Sequence, residues 1–301
     1  MTVETLPTSA VFAAAVTLTP AEPEHLDLAF TAVTQPCPWP KAYGGDLVAQ
    51  AATAAIRSVP ADKTLHSMHS YFLRPADVGA SLRYEVERLR DGRGYSARQV
   101  RAYADGKPVY VGLASFAAGE PGGSFLAQLT EAVPGPDELP TSGAYLADRS
   151  GGTMTPESRA YWSGGRGFDM RHVPGPVYLA VEGKREPHQA VWLKPFDPLR
   201  RVEGLTTTQR DLAALAYVCD YTILEPVLRV LDLPWATPGL VTASLDHAMW
   251  FHRPGPVDGW LLYIQEAIAA DAGRGLAAGR FFTRDYRHLA TVVQEGMIRA
   301  A

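Results

Sequence analysis

The chain has 301 residues, 47% of them hydrophobic and 20% charged, and a formal net charge of −4. That much apolar material excludes a disordered chain, and the lack of a net basic field argues against nucleic acid as a partner. The apolar run at 11–16 is too short for a membrane span and has no Lys or Arg before it, while Cys37 and Cys219 form no spaced set for a disulfide framework or zinc site.

Taken in chain order, the Ala-rich stretch after Gly44-Gly45 predicts a helix over 46–56. Strands are predicted at 65–73, 81–89, 95–103 and 109–116, because residues such as Leu82, Tyr84 and Val86 alternate with polar ones. Asp91-Gly92 and Asp105-Gly106 supply turns between neighbouring strands. Residues 118–163 are rich in Pro and Gly and form a linker with a short helix at 144–149. A helix over 209–229 follows, then strands at 242–251, 260–267, 277–284 and 289–298. A helix covered by an antiparallel meander gives an α+β layer architecture.

The second group of elements repeats the first. A shift of 179 carries Phe72, Arg74 and Pro75 onto Phe251, Arg253 and Pro254, and Tyr84 and Glu87 onto Tyr263 and Glu266. With a drift of one or two residues, Arg93-Gly94 returns as Arg274-Gly275 and Asp105 as Asp285. Drift of that size is what loop insertions between strands produce. The expected organisation is therefore one domain at 1–117, the linker at 118–163, and a second copy at 164–301.

Three polar residues stand out against apolar surroundings in the second copy. Asp220 is the only charged side chain between Asp211 and Glu225, with Ala216, Tyr217, Ile223 and Leu224 as its helical neighbours. Such a carboxylate is either a structural acid satisfied by donors or a functional one, and the pattern weighs both equally. Gln294 shares a strand face with Ala290, Val292 and Ile298, and Ser244 is placed on the face of Asp246, Ala248 and Trp250. The other copy acts as a control. Ser244 corresponds to Leu65 and Gln294 to Ala114, so the fold does not demand polar groups there. One active site per chain, in the second copy, is the consequence.

Other chemistries lack their motifs. There is no G-x-S-x-G elbow, Walker A sequence or H-E-x-x-H, and the Gly273, Gly275, Gly279 spacing misses a dinucleotide fingerprint. His66 and His69 are an odd distance apart on a strand, which points them to opposite faces. His247 reads as a packed structural histidine, and Cys219, beside Asp220, as core.

The segments Leu65-His-Ser-Met-His-Ser-Tyr-Phe-Leu-Arg-Pro75, Leu245-Asp-His-Ala-Met-Trp-Phe-His-Arg-Pro254 and Val293-Gln-Glu-Gly-Met-Ile-Arg299 resemble acyl-CoA thioesterase II, the TesB type. The resemblance spans about residues 26–299. It implies a tandem, or double, hot-dog: two long central helices, each wrapped by an antiparallel β-sheet, often assembled into homo-oligomers. It also implies hydrolysis of acyl-CoA to free acid and CoA without a metal or redox cofactor. The family uses an Asp, a Thr or Ser, and a Gln, which fall on Asp220, Ser244 and Gln294. Position 244 departs from the frequent Thr by keeping the hydroxyl without its branch. The linker and residues 168–195 match weakly, apart from His188-Gln-Ala-Val-Trp192. Gly44 and Gly45 are candidates for oxyanion or substrate contacts at a helix N-terminus, or simply an entry turn. A hot-dog enoyl-CoA hydratase or dehydratase and a non-catalytic acyl-CoA-binding scaffold are the competing readings. The C-terminal Ile298-Arg-Ala-Ala301 carries no peroxisomal tripeptide, so the cytoplasm is the expected location, with no membrane partner.

Overall fold

The computed structural model describes residues 7–129, 132–147, 149 and 154–300. The first part comprises helix α1 (Thr8–Val16), strands β1 (Thr19–Ala21) and β2 (Leu28–Val33), helix α2 (Gly44–Ile56), and strands β3 (Thr64–Phe72), β4 (Ser81–Asp91), β5 (Tyr95–Ala104) and β6 (Lys107–Ala117). Two short helices, α3 (Ser142–Ala147) and α4 (Pro156–Ala160), lead into β7 (Phe168–Val173) and β8 (His188–Pro195). Helices α5 (Thr207–Val218) and α6 (Glu225–Leu231) follow. The chain closes with β9 (Val241–Ser244), β10 (Asp246–Phe251), β11 (Leu261–Asp271), β12 (Arg274–Thr283) and β13 (His288–Arg299). No helix among the described residues is long and apolar enough to cross a membrane.

The strands form one antiparallel sheet in the order β1-β2-β4-β5-β6-β3-β10-β13-β12-β11-β8-β7, with β9 also on β13. The order is mirrored about the β3–β10 junction: β6, β5 and β4 on one side answer β13, β12 and β11 on the other. At that junction His69 lies opposite Ala248, the residue 179 positions further along the chain. A pair that maps onto itself marks a local two-fold axis, so the sequence repeat is also a spatial symmetry. Helices α1, α2 and α5 pack against one another. Every α2 residue from Gly45 to Ile56 is buried, and α2 packs on strands of its own copy and on α5. The interior is continuous across both copies, which matches the expected α+β layering.

Local chemistry accounts for the main boundaries. The β5–β6 hairpin turns on Asp105 (φ 47°) and Gly106 (φ 71°), two successive left-handed residues as a tight antiparallel turn requires. Helix α5 begins with a reciprocal cap: Gln209 N–H donates to Thr206 Oγ1, and Thr206 N–H donates to Gln209 Oε1.

Two expected elements prove to be broken. The helix predicted over 209–229 is two helices with turns at 219–224 between them. Pro226 sits in the first turn of α6, where its missing N–H is harmless, and it clashes with a continuous helix running up from α5. The break is pinned from the sheet: Tyr263 Oη donates to the Cys219 carbonyl at 3.0 Å and Gln265 Nε2 to Thr222 Oγ1 at 2.7 Å. The strand predicted over 242–251 is also interrupted. Ser244 faces Gly296 and Ala248 faces Val293, so four steps on one strand match three on the other. This is a β-bulge at Leu245, and it parts Ser244 from the Asp246–Ala248–Trp250 face to which plain alternation assigns it. The linker helix expected at 144–149 runs over Ser142–Ala147, and Asp148 lies outside the described residues.

Candidate active site

The two interruptions bring the polar residues together. Asp220 leaves the chain in the α5–α6 break, Ser244 ends β9 at the bulge, and Gln294 points inward from the middle of β13. Ser244 Oγ donates to Asp220 Oδ1 at 2.8 Å. Gln294 Nε2 donates to the same oxygen at 2.6 Å and to Ser244 Oγ at 2.9 Å. Three residues spread over 75 positions of sequence thus close a hydrogen-bonded triangle around one carboxylate oxygen. Gln294 is sealed at 0% exposure, whereas Asp220 and Ser244 keep part of their surface accessible. The amide oxygen Oε1 of Gln294 is shielded and has no hydrogen-bond partner among the described residues, which leaves an acceptor at the site.

The second carboxylate oxygen of Asp220 faces the other copy. The backbone N–H groups of Gly44 and Gly45, at the start of α2, act on the Asp220 carboxylate and lower its pKa. A Cβ on Gly44 would fall 2.5 Å from Asp220 Oδ2, and one on Gly45 would fall 2.3 Å from the Tyr217 carbonyl. The glycine pair therefore permits the close approach of α2 to the break, and the carboxylate sits at the positive end of the α2 dipole. Tyr43, just before the pair, donates to the Tyr217 carbonyl at 2.6 Å and stacks on Tyr221 at 4.3 Å between centroids. The site is built at the seam of the two copies.

Burial raises the pKa of Asp220, and the donors on Gln294, Ser244, Gly45 and Gly44 pull it back only in part, so it stays above the ordinary carboxylate value. Glu225, five residues on, shows the alternative fate of a buried acid. Burial alone would raise it, but His172 (3.0 Å), Trp235 (3.0 Å) and Gln189 (2.6 Å) all bond to its carboxylate and hold it below the ordinary value. Glu225 is a satisfied structural acid, whereas burial dominates at Asp220 and leaves it more readily protonated than an ordinary carboxylate.

The other copy has nothing equivalent. Leu65 and Ala114, the counterparts of Ser244 and Gln294, are buried among apolar residues. Gln50, the polar residue inside α2, is consumed by structure: its amide nitrogen donates to the Ala15 and Val33 carbonyls, and its oxygen accepts from Tyr84. His247 faces inward with Nε2 3.2 Å from Cys219 Sγ, and burial depresses its pKa to about 3, so it is a neutral packed residue. Burial, and then the Asp220 charge, push the Cys219 thiol well up, which keeps it protonated.

Some site residues had no signal in the chain as a string. Tyr43 and Tyr221 meet only because the copies pack together. Asp46, in the first turn of α2, is wholly buried; Oδ2 accepts from Gln35 N–H at 2.7 Å while Oδ1 is unpartnered. Burial pushes its pKa up to about 7, against the Gln35 bond and with the help of Asp220. Its position directly after Gly44-Gly45 is the one clue that could have found it.

Comparison with known proteins identifies the family. Family models described as the acyl-CoA thioesterase N-terminal and C-terminal domains match residues 33–117 and 135–298. The chain is 33% identical over 272 residues to human acyl-coenzyme A thioesterase 8, covering 87% of this chain and 82% of that one. The solved structure of the acyl-CoA thioesterase II TesB2 from Mycobacterium marinum superposes with a TM-score of 0.74 at 30% identity, covering 96% and 98% of the two chains. A hot dog fold protein from Alicyclobacillus acidocaldarius, at 19% identity and a TM-score of 0.73, shares the fold. With both family models matched and the two copies arranged as described, the chain belongs to the acyl-CoA thioesterase II, or TesB-type, family of hydrolases.

Proposed function

We propose that the protein hydrolyses acyl-CoA thioesters to a free acid and CoA, at one site per chain, with Asp220 as general base and Ser244 and Gln294 as orienting groups. The observation that carries this reading is the convergence of Ser244 Oγ and Gln294 Nε2 on one oxygen of a partly accessible carboxylate with a raised pKa. Water bound to Asp220 attacks the thioester carbonyl, and its proton passes to the carboxylate as the new C–O bond forms. The tetrahedral intermediate collapses by breaking the C–S bond, and the proton moves from Asp220 to the leaving sulfur. The N–H groups of Gly44 and Gly45 point at the Asp220 carboxylate and favour its ionised form, the form that accepts the proton. His247 is turned to Cys219, so no imidazole base stands beside Ser244, and this reading takes water as the nucleophile with Ser244 orienting it.

The same reading takes the molecule as a tandem hot-dog, with copies at 1–117 and 164–301 joined by 118–163. The mirrored strand order and the self-matching His69–Ala248 pair support it. The test is release of free CoA from acyl-CoAs of graded chain length, followed with a thiol reagent. Turnover on at least one chain length is expected; binding without cleavage of any of them would turn the reading into that of an acyl-CoA-binding scaffold.

A further inference from the structure

The local two-fold axis relates the catalytic seam to a second place on the molecule, and that place is open. Beside the catalytic residues lies the end of β3: the Phe72 ring comes within 3.3 Å of a Cβ built on Gly44, and Phe72 N–H donates to the Leu245 carbonyl. The shift of 179 carries Phe72, Leu73 and Arg74 onto Phe251, His252 and Arg253, and Leu245 back onto His66. Those four counterparts line one cavity of about 360 Å3, closed on its other side by residues 123–126. That volume lies within the range of small-molecule pockets.

The first copy cannot hydrolyse there, because Leu65 and Ala114 replace the hydroxyl and the amide. This end of the junction carries other groups instead. His66 stands where the catalytic end has Leu245, His252 where it has Leu73, and Trp250 where it has Tyr71. His66 Nε2 is shielded yet has no partner among the described residues. Burial lowers the pKa of both His66 and His252, so at neutral pH they are uncharged hydrogen-bonding groups. Arg253 donates to Ser124 Oγ at 2.6 Å and makes no ion pair among the described residues. Phe125 stands 89% exposed at the cavity wall, and no Asp or Glu lines the space. Aromatic faces to stack a base, a guanidinium for a phosphate and no carboxylate to repel it are the requirements of a phosphorylated nucleoside.

We propose that this groove is a second, non-hydrolytic site that binds the phosphorylated adenosine end of CoA. The choice of CoA among nucleotides rests on the acyl-CoA reading above. The test is an equilibrium titration of the whole protein with CoA, alongside the hydrolysis assay. The expected result is two CoA bound per chain in the wild type and one in Arg253→Glu, with acyl-CoA hydrolysis by that variant kept within about twofold. Phe125→Ala removes a side chain that is almost fully exposed, so it leaves the fold intact; it is expected to weaken the second site about tenfold, as loss of one stacked base does. Adenosine bisphosphate should compete at the groove, and inorganic phosphate at the same concentration should not. One CoA per chain in a hydrolytically active wild type, or two sites that survive both substitutions, would overturn the groove alone. A protein that neither binds CoA nor cleaves acyl-CoA would overturn both this proposal and the reading on which it rests.

Discussion

The two ends of the β3–β10 junction share a mirrored strand order but carry different side chains. At one, Ser244 and Gln294 converge on Asp220; at the other, the equivalent positions are Leu65 and Ala114 in a dry core. Both share an irregularity at the matching residues Leu245 and His66: Leu245 separates β9 from β10, and the β3–β6 register slips between Leu65 and Ser67. The bulge is therefore a property of the fold, while the proposed reaction depends on three side chains placed on it. What the seam adds is the cross-copy contact, since Gly44 and Gly45 of one half support the acid of the other.

Substitutions can sharpen or break that contrast. The largest effect is expected for Asp220→Asn, which removes the base: turnover in the CoA-release assay should fall at least ~100-fold. Gln294→Ala should cost about 10- to 100-fold in kcat, because it removes two of the three sides of the triangle. Ser244→Ala should cost about tenfold, the equivalent of one lost hydrogen bond to a charged group, while Ser244→Thr stays within about threefold. Gly44→Ala leaves the triangle's residues in place but drives a methyl against Asp220 Oδ2, so kcat should fall with little change in far-ultraviolet circular dichroism. Polar groups built into the first copy, Leu65→Ser with Ala114→Gln, should not rescue Asp220→Asn, for they lie within the apolar core.

The smallest effect concerns stability rather than turnover. Asp46 is held at about 7 in the folded chain, above the ordinary 3.8 of an unfolded aspartate. Between those values the native state keeps a proton that the unfolded chain has released, so stability falls as pH rises through that window. Asp46→Asn removes the term. The melting temperature of the variant relative to the wild type should climb from pH 4 to pH 8, reflecting up to a few kcal/mol. A constant difference across that range would mean that Asp46 is ionised throughout.

Much of this was legible in the chain, and for identifiable reasons. The repeat survives in residues of strands and turns, where each copy meets the same packing demands, and the trio stood out because each polar group interrupts an apolar surface. The breaks were not legible from periodicity. Asp220 was placed on a continuous helix because the apolar run is unbroken, although Pro226 carried the signal for a stop. Ser244 was given the wrong face because one extra residue at Leu245 reverses the alternation, and no local pattern announces a bulge. The α1 helix, apolar on almost every side, and the β8 strand, whose centre Ala190–Leu193 is an unbroken apolar stretch, lack the period that distinguishes helix from strand. The Tyr43–Tyr221 stack joins residues 178 positions apart and exists only in the assembled molecule.

The central claim, that the Asp220 carboxylate accepts the proton, is tested most directly by the pH dependence of kcat/KM for acyl-CoA in the wild type and in Asp220→Asn. Activity requires the ionised carboxylate, and burial lifts its pKa. The acid limb of the wild-type profile should therefore lie above the usual carboxylate range, with activity lost as pH falls through it, and it should be absent from the residual rate of the variant. A limb that persists unchanged in Asp220→Asn would contradict the account.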